Sequence, residues 1–345
     1  MNTWLQFLSE NGAQVRLEGT PEVIGFPTRT TAGTSSFVSP LTDYGLIAVT
    51  GEDAASFLHN QLTNDVEHLG LHEARLAGYC TPKGRLLASF LMWKTADGIM
   101  LMVSRDIQPT VQKRLHMFVL RSKAKLADVT EQHVLLGLSG DATALGGLFP
   151  TVPTAPYEKA DADAGTLIHV ADAFGAPRYL WITDAATAEQ AWPALNKSLS
   201  PTGSNAWKLA DIHAGIPHIT QPTQEQFVPQ MVNFDVIGGV NFKKGCYPGQ
   251  EIVARTHYLG KVKRRMLLAS IEAGDVKAGS EIFSNAEPEQ PCGMVVNAAR
   301  NAQGGTDCLV EIKSALAGEA TVHAGSVEGP LLRFAPLPYA LSDGE

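Results

Sequence analysis

Sulfur is scarce in this chain. Cys80, Cys246, Cys292 and Cys308 are the only cysteines in 345 residues, and no two of them stand as Cys-x-x-Cys. That spacing marks zinc-finger and thioredoxin-type centres, which its absence argues against. So few cysteines fit a reducing, cytoplasmic setting. Long apolar runs are missing too. The longest, Leu86-Leu-Ala-Ser-Phe-Leu-Met-Trp93, falls far short of the roughly 20 residues a spanning helix needs, so no membrane partner is expected. The first ten residues carry neither a basic leader nor a long apolar core, and no secretory signal is read there. The ten histidines form no His-Glu-x-x-His or His-x-His cluster, which speaks against a zinc hydrolase. Neither Gly-x-x-x-x-Gly-Lys-Ser/Thr nor Gly-x-Ser-x-Gly occurs, so nucleotide hydrolysis and esterase chemistry have no foothold.

An excess of positive charge is also absent. The formal net charge is -8 and the isoelectric point is near 5.7. Wholesale electrostatic binding to nucleic acid is disfavoured, though a local basic patch is not. What is present is an ordinary globular balance, 44% hydrophobic and 18% charged. The length accommodates two or three domains.

Residues 20–40, rich in Thr, Ser, Gly and Pro, read as an extended lead-in, with organised structure starting near Leu41. Leu46–Val49 reads as a buried strand. A helix opens at Gly51-Glu-Asp with Ala54, Phe57, Leu58 and Leu62 on one face. Strands follow at Glu73–Tyr79, Leu86–Trp93 and Ile99–Val103, the first two joined by the turn Cys80-Thr-Pro-Lys-Gly84. Asp106 is placed as the N-cap of a helix burying Val111, Leu115 and Phe118. Lys125–Val129 and Val134–Leu138 complete an α+β pattern. Pro150–Asp163 reads as a loop. Beyond it come strands Leu167–Val170 and Arg178–Ile182 and a helix over Ala185–Leu199. After about residue 260 short strands punctuated by Gly, Pro and Asn (Val262–Ile271, Glu281–Ser284, Gly293–Ala298, Cys308–Ile312) predict a small antiparallel barrel.

The densest chemistry lies in Asn241-Phe-Lys-Lys-Gly-Cys-Tyr-Pro-Gly-Gln-Glu-Ile-Val-Ala-Arg255. Gly245, Pro248 and Gly249 impose irregular backbone, and glycine lets a ligand approach the main chain. Lys244, Cys246, Tyr247, Gln250 and Glu251 supply a cation, a thiol, an aromatic face, an amide and a carboxylate. Two readings of Cys246 stand side by side. It is a reactive thiol, favoured as thiolate by the neighbouring lysines, or a small buried hydrophobe. Glu251 is likewise either a ligand or a cap for the segment after it. Between Lys243 and Arg265 there are seven Lys/Arg (Lys243, Lys244, Arg255, Lys261, Lys263, Arg264, Arg265) against Glu251 alone. Such a reversal of sign suits carboxylates or phosphates, or protects a strand edge. A second basic group, Arg114 and Arg121-Ser-Lys-Ala-Lys125, flanks a helix end, where cations favour the dipole.

Lys244-Gly-Cys-Tyr-Pro-Gly-Gln-Glu251 resembles the signature of the YgfZ family, folate-binding relatives of the glycine-cleavage aminomethyltransferase (T-protein). The resemblance continues through Gly51–Asp65, with its Thr63-Asn-Asp65 turn, through Tyr79-Cys-Thr-Pro-Lys-Gly-Arg85, and through Ala214-Gly-Ile-Pro217, Phe227-Val-Pro-Gln230 and Asn233. It covers roughly residues 41–265. It implies an α+β fold of two interwoven ferredoxin-like units and a C-terminal antiparallel β-barrel around a central opening. The division is 1–40 as extension, 41–260 as folate-binding region, and 261–345 as barrel and tail. It implies tetrahydrofolate or a derivative as ligand, held by Lys244, Tyr247, Gly249, Gln250, Glu251, Arg255, His213 and Asn233. The implied role is support of iron–sulfur enzymes or assembly proteins, including tRNA modification, with Cys246 as the reactive group. Two departures matter. Ala88 and Ser89 stand where T-proteins carry two aspartates, which weakens a one-carbon transferase, the alternative function. His213 stands where a Glu usually precedes the Ala-Gly, and an imidazole cannot accept both pterin N–H bonds; Asp211 is the candidate replacement. An RNA-contacting factor using the basic stretch is the second alternative.

Overall fold

The computed structural model describes residues 3–27, 35–141, 145–258, 262–272, 274–316 and 320–341. Lys261 and the 260/261 boundary lie outside them. The fold is α+β with sheets dominating, and the described residues hold six α-helices. They group into two compact units, each assembled from separate stretches of chain. One comprises Met1–Ala54, Leu69–Ala74 and Met92–Ala210; the other Ala55–His68, Arg75–Leu91 and Asp211–Glu345.

In the first unit, strand Tyr44–Thr50 lies between Gly98–Ser104 and Lys125–Asp128, antiparallel to both. A six-stranded sheet runs Lys159–Ala162, Gly165–Ala173, Ala176–Thr183, Val134–Ser139, Phe37–Pro40, Ser200–Pro201. Helix Ala185–Ser198 is capped by Asp184, which accepts from the Thr187 N–H at 2.9 Å. Its buried residues Ala188, Ala191, Trp192 and Leu195 fall at helical spacing, and Trp192 meets Trp4 edge-on at 5.6 Å. That contact explains the amino-terminal correction. Organised structure begins not at Leu41 but with helix Thr3–Glu10, which buries Trp4, Leu5 and Leu8. Strands Gln14–Arg16, Glu22–Gly25 and Phe37–Pro40 follow it. Eight residues are too few for a periodic signal, and tertiary packing supplies the stability.

Other expectations change in detail. Asp106 is not the cap: the helix is Gln108–Met117, its N-cap is Ile107 without a side-chain bond, and a proline in the first turn fixes the start. It ends before Phe118, which is 44% exposed. Arg114 lies in its last turn, as the dipole favours. Helix Ala54–His59 stops short of Leu62, which instead bridges to Tyr79. The loop expected over Pro150–Asp163 contains strand Lys159–Ala162. Helix Ser204–His213 was not anticipated.

The second unit contains the turn of hairpin Ala74–Cys80/Leu86–Lys94, an irregular stretch over 214–249, helix Gln250–Tyr258 and a curled, half-barrel antiparallel sheet of six strands. The sheet order is Val322–Ala324, Glu281–Ser284, Gly293–Arg300, Thr306–Lys313, Arg264–Ile271, Arg333–Ala335. Its two outer strands are three residues long, too short to read from alternation. Alternate residues of the inner strands, among them Ala269, Ile271, Val310 and Ile312, fill one core with Cys292 and Cys308. A bulge between Val295 and Asn297 turns Asn297 toward His218, whose backbone N–H and C=O it engages at 2.9 Å each. No helix among the described residues is long and apolar enough to cross a membrane.

Two of the basic residues at 243–265 are consumed here. Arg264 grips Glu311 through two nitrogens, one at 2.9 Å, with Glu311 only 1% exposed. Arg265 bonds Asp235 at 2.7 Å and the Gln230 carbonyl at 3.0 Å. Removing one member of a buried pair strands the other's charge. Arg264→Leu is therefore expected to cost about 3 kcal/mol, and Arg264→Leu/Glu311→Leu to recover most of it. Urea midpoints of the three proteins check this.

Candidate functional site

The signature loop is held at its carboxyl end by a glycine-on-glycine contact. Hairpin turn 80–84 is closed by Thr81 N–H to the Arg85 carbonyl (2.8 Å) and Gly84 N–H to the Thr81 carbonyl (2.9 Å). Gly84 has φ +71° and Gly249 has φ +81°. A Cβ on Gly249 would lie 2.4 Å from the Thr81 carbonyl oxygen and 2.6 Å from both the N and Cα of Gly84. A Cβ on Gly84 would meet Ile252 at 3.0 Å. The space over Gly249 thus belongs to the turn, where the sequence reading gave it to a ligand. Gln250 N–H bonds the Tyr247 carbonyl, Val253 N–H bonds the Gly249 carbonyl, and the helix begins.

The amino end is held by Lys244. Its Nζ donates to the carbonyls of His59 and Leu62, the latter at 2.9 Å, where helix Ala54–His59 ends. Free carbonyls at a helix end favour a cation. The same Nζ lies 4.6 Å from the centroid of the Tyr247 ring. Burial of the ammonium lowers its pKa to about 8, although Asp65, Cys246 and Glu67 pull the other way. Tyr247 is 7% exposed, and burial, with the Cys80 thiol beside it, raises its phenol. Cys246, between these anchors, is exposed, whereas Cys80, Cys292 and Cys308 are buried. Burial pushes Cys80 and Cys308 up to about 12. The buried-hydrophobe reading therefore fits those cysteines and not Cys246.

The Thr63-Asn-Asp65 turn braces the stretch before the loop. Thr63 Oγ1 donates to the Gly239 carbonyl at 2.6 Å and accepts from the Gly78 N–H at 2.7 Å. Asn64 Nδ2 reaches the carbonyls of Leu76 and Gly238, both at 2.7 Å. Asp65 lies 3.1 Å from His59 Nδ1 and 2.9 Å from His68 Nδ1. Burial would raise its pKa, but the His68 backbone and ring bonds and both imidazoles outweigh it and leave it lowered.

The remaining candidates separate. Asn233, fully buried at φ +59°, spends its amide on the Met266 carbonyl (2.8 Å) and N–H (3.3 Å). His213 Nε2 pairs with Asp307 at 2.7 Å. Burial raises Asp307, but bonds from His213, Asn301 and Ser270 lower it on balance. Asp211 pairs with His218 at 2.9 Å. Ala88 is buried, and Ser89 Oγ accepts the Ile219 N–H at 2.9 Å. Gln250 is half-buried in the first turn of its helix, while Glu251 and Arg255 are exposed along it. One contributor went unread in the sequence. Tyr339 donates to the Gly215 carbonyl at 2.8 Å and fills the space over that glycine, φ +68°. A single tyrosine in a proline-broken tail gives no periodic signal.

No protein-family model matches the chain. Among curated proteins it is 33% identical over 310 residues to the tRNA-modifying protein YgfZ of Edwardsiella ictaluri (strain 93-146), spanning 88% of this chain and 93% of that protein. It is 31% identical over 329 residues to the tRNA-modifying protein YgfZ of Serratia proteamaculans (strain 568), spanning 93% and 98%. In structure it is similar to the glycine cleavage system aminomethyltransferase T of Bartonella henselae, with a TM-score of 0.78 over 97% of this chain and 96% of that one, at 17% identity. The fold is therefore of the aminomethyltransferase type. The chain belongs to the YgfZ family.

Two measurements follow from the anchors. Gly249→Ala combines positive φ with a backbone clash and is expected to cost about 3 kcal/mol. Gly245→Ala, whose nearest neighbour would be His59 Nε2 at 3.7 Å, should change stability by less than about 0.5 kcal/mol. Thermal melts of the two variants decide it. Lys244, depressed in the folded state, binds its proton less tightly there than when unfolded. Its contribution to stability should rise with pH between about 8 and the unfolded value near 10.4. Lys244→Met should remove that increment from the pH–stability curve.

Proposed function

We propose that this protein is a tetrahydrofolate-binding accessory factor that supports iron–sulfur enzymes, including tRNA-modifying ones, with Cys246 as its reactive group. The observation that carries this reading is the loop. A lone exposed thiol is presented between two immobilised flanks, Lys244 on helix-end carbonyls and Gly249 on turn 81–84. Relatives that align over most of the chain are named tRNA-modifying proteins, and membership of their family lends that role to this chain. Four free cysteines, one of them exposed, agree with a reducing cytoplasm.

Folate is the ligand the family resemblance implies, and the residues present fit it in kind. Carboxylates Asp307 and Asp211, each beside an imidazole, can accept pterin N–H groups in place of the usual Glu. Arg255, exposed and with no ion pair among the described residues, suits the glutamate tail. Tyr247, Gln250 and Glu251 complete the proposed set. In this reading residues 41–260 form two interwoven ferredoxin-like units and 261–345 the barrel and tail. Aminomethyl transfer is the weaker alternative. The strand end at Ala88 and Ser89 offers no carboxylate, and the Ser89 hydroxyl is engaged by backbone.

Titration calorimetry with tetrahydrofolate and its methylene and formyl forms tests the ligand. Binding that weakens with salt is expected, and Arg255→Ala should weaken polyglutamyl forms more than the monoglutamate. Equal loss for both would remove Arg255 from the tail site, and no heat with any form would remove folate. Timed iodoacetamide labelling should modify Cys246 at least about tenfold faster than the three buried thiols, since the thiolate is the nucleophile and burial suppresses it. Cys246→Ser should keep the fold and folate affinity but fail to complement a deletion strain. Full complementation by the serine protein would leave Cys246 without a role.

A further inference from the structure

An aromatic cluster outside the folate residues remains unexplained. Phe242 and His257 stack with ring centroids 3.7 Å apart and planes 12° apart. Tyr258 stands nearly perpendicular to both, at 6.2 Å from Phe242 and 4.8 Å from His257. His257 is exposed, and Tyr258 is 65% exposed. A stack serving only to end the helix would bury its outer ring; here the outer ring faces water. A cation adjoins it. Lys243 is exposed next to Phe242 in sequence. Its side chain has no hydrogen bond or ion pair among the described residues, in a chain whose net charge is -8. Arg264 and Arg265, by contrast, are spent on Glu311 and Asp235. The acid on this helix, Glu251, sits in its first turn, at the opposite end from the rings.

Exposed π-faces beside an unpaired cation match one kind of polymer, in which flat bases alternate with phosphates. Bases stack on aromatic rings whatever their identity, and lysines meet the backbone. We propose that Phe242, His257 and Tyr258, with Lys243, form a docking surface for single-stranded RNA. The bases stack on Tyr258 and on the His257–Phe242 pair, and Lys243 contacts a phosphate. This goes beyond the folate reading and does not depend on it.

The test is fluorescence anisotropy of the full-length protein with a labelled oligouridylate of about 12 nucleotides. A duplex RNA of equal length and a polyglutamate peptide serve as comparisons. The single strand is expected to bind more tightly than both. Tyr258→Ala and His257→Ala should each weaken it about tenfold, with Tyr258→Phe near wild type. Lys243→Gln should flatten the salt dependence by about 0.7 of a logarithmic unit per decade. Unchanged melting temperatures and unchanged folate heats would show the variants are folded. Failure of the folate titration alone would leave this proposal standing. Undetectable binding to the oligouridylate would overturn it. So would equal binding of polyglutamate or duplex, which would reduce the surface to bare charge. Indifference to Tyr258→Ala and His257→Ala would overturn it as well.

Discussion

The approach of Gly249 to Gly84 is the contact on which the site depends. The two backbones meet at a distance that leaves no room for a Cβ on Gly249, while one on Gly84 would press on the Ile252 side chain at 3.0 Å, and both residues adopt left-handed φ. The contact joins a hairpin turn to the start of a helix far along the chain, so it sets where helix Gln250–Tyr258 begins. Backbone pressed on backbone has almost no rotamer freedom. The position it imposes is sharper than one set by side-chain packing alone.

Electrostatics fixes the other end of the loop at a cost. Lys244 lies partly buried against two carbonyls and a ring, and loses hydration that these partners only partly replace; its depressed pKa is the sign of that loss. Asp65 and Glu67 limit the penalty without sharing a direct ion pair with Lys244 among the described residues. The Thr63-Asn-Asp65 turn thereby serves two ends. Thr63 and Asn64 bind backbone, while Asp65 carries the charge that makes a buried ammonium tolerable next to a thiol.

Much of this was legible in the sequence, and the omissions have physical causes. Strands such as Tyr44–Thr50 and Leu86–Lys94 announce themselves by apolar runs between turn residues. The curled sheet shows in its regular punctuation, but its outer strands are too short to see. Helix Thr3–Glu10 was invisible because its stability comes from Trp192, far along the chain. The Lys244–Glu251 segment stood out by composition. Which of its residues face outward did not, because composition does not encode what the fold places against them. Gly249 has the same letter as Gly245, yet one is filled by Thr81 and Gly84 and the other is open.

That distinction sorts the candidate residues into two kinds. Asn233, Lys244 and Gly249 are engaged in holding the chain: an amide on Met266, an amine on His59 and Leu62, a glycine under a turn. Cys246, Glu251 and Arg255 are left facing solvent. Cysteine has a single side-chain torsion before its sulfur, so a thiol on a fixed backbone has about three positions available. Fixing the neighbours therefore comes close to fixing the sulfur without burying it, whereas Cys80 and Cys308 are buried and their thiols are pushed up to about 12. A reactive group must be accurately placed and also reachable. In this loop the flanking residues meet the first demand and the exposure of Cys246 meets the second, which is the arrangement the role proposed for Cys246 requires.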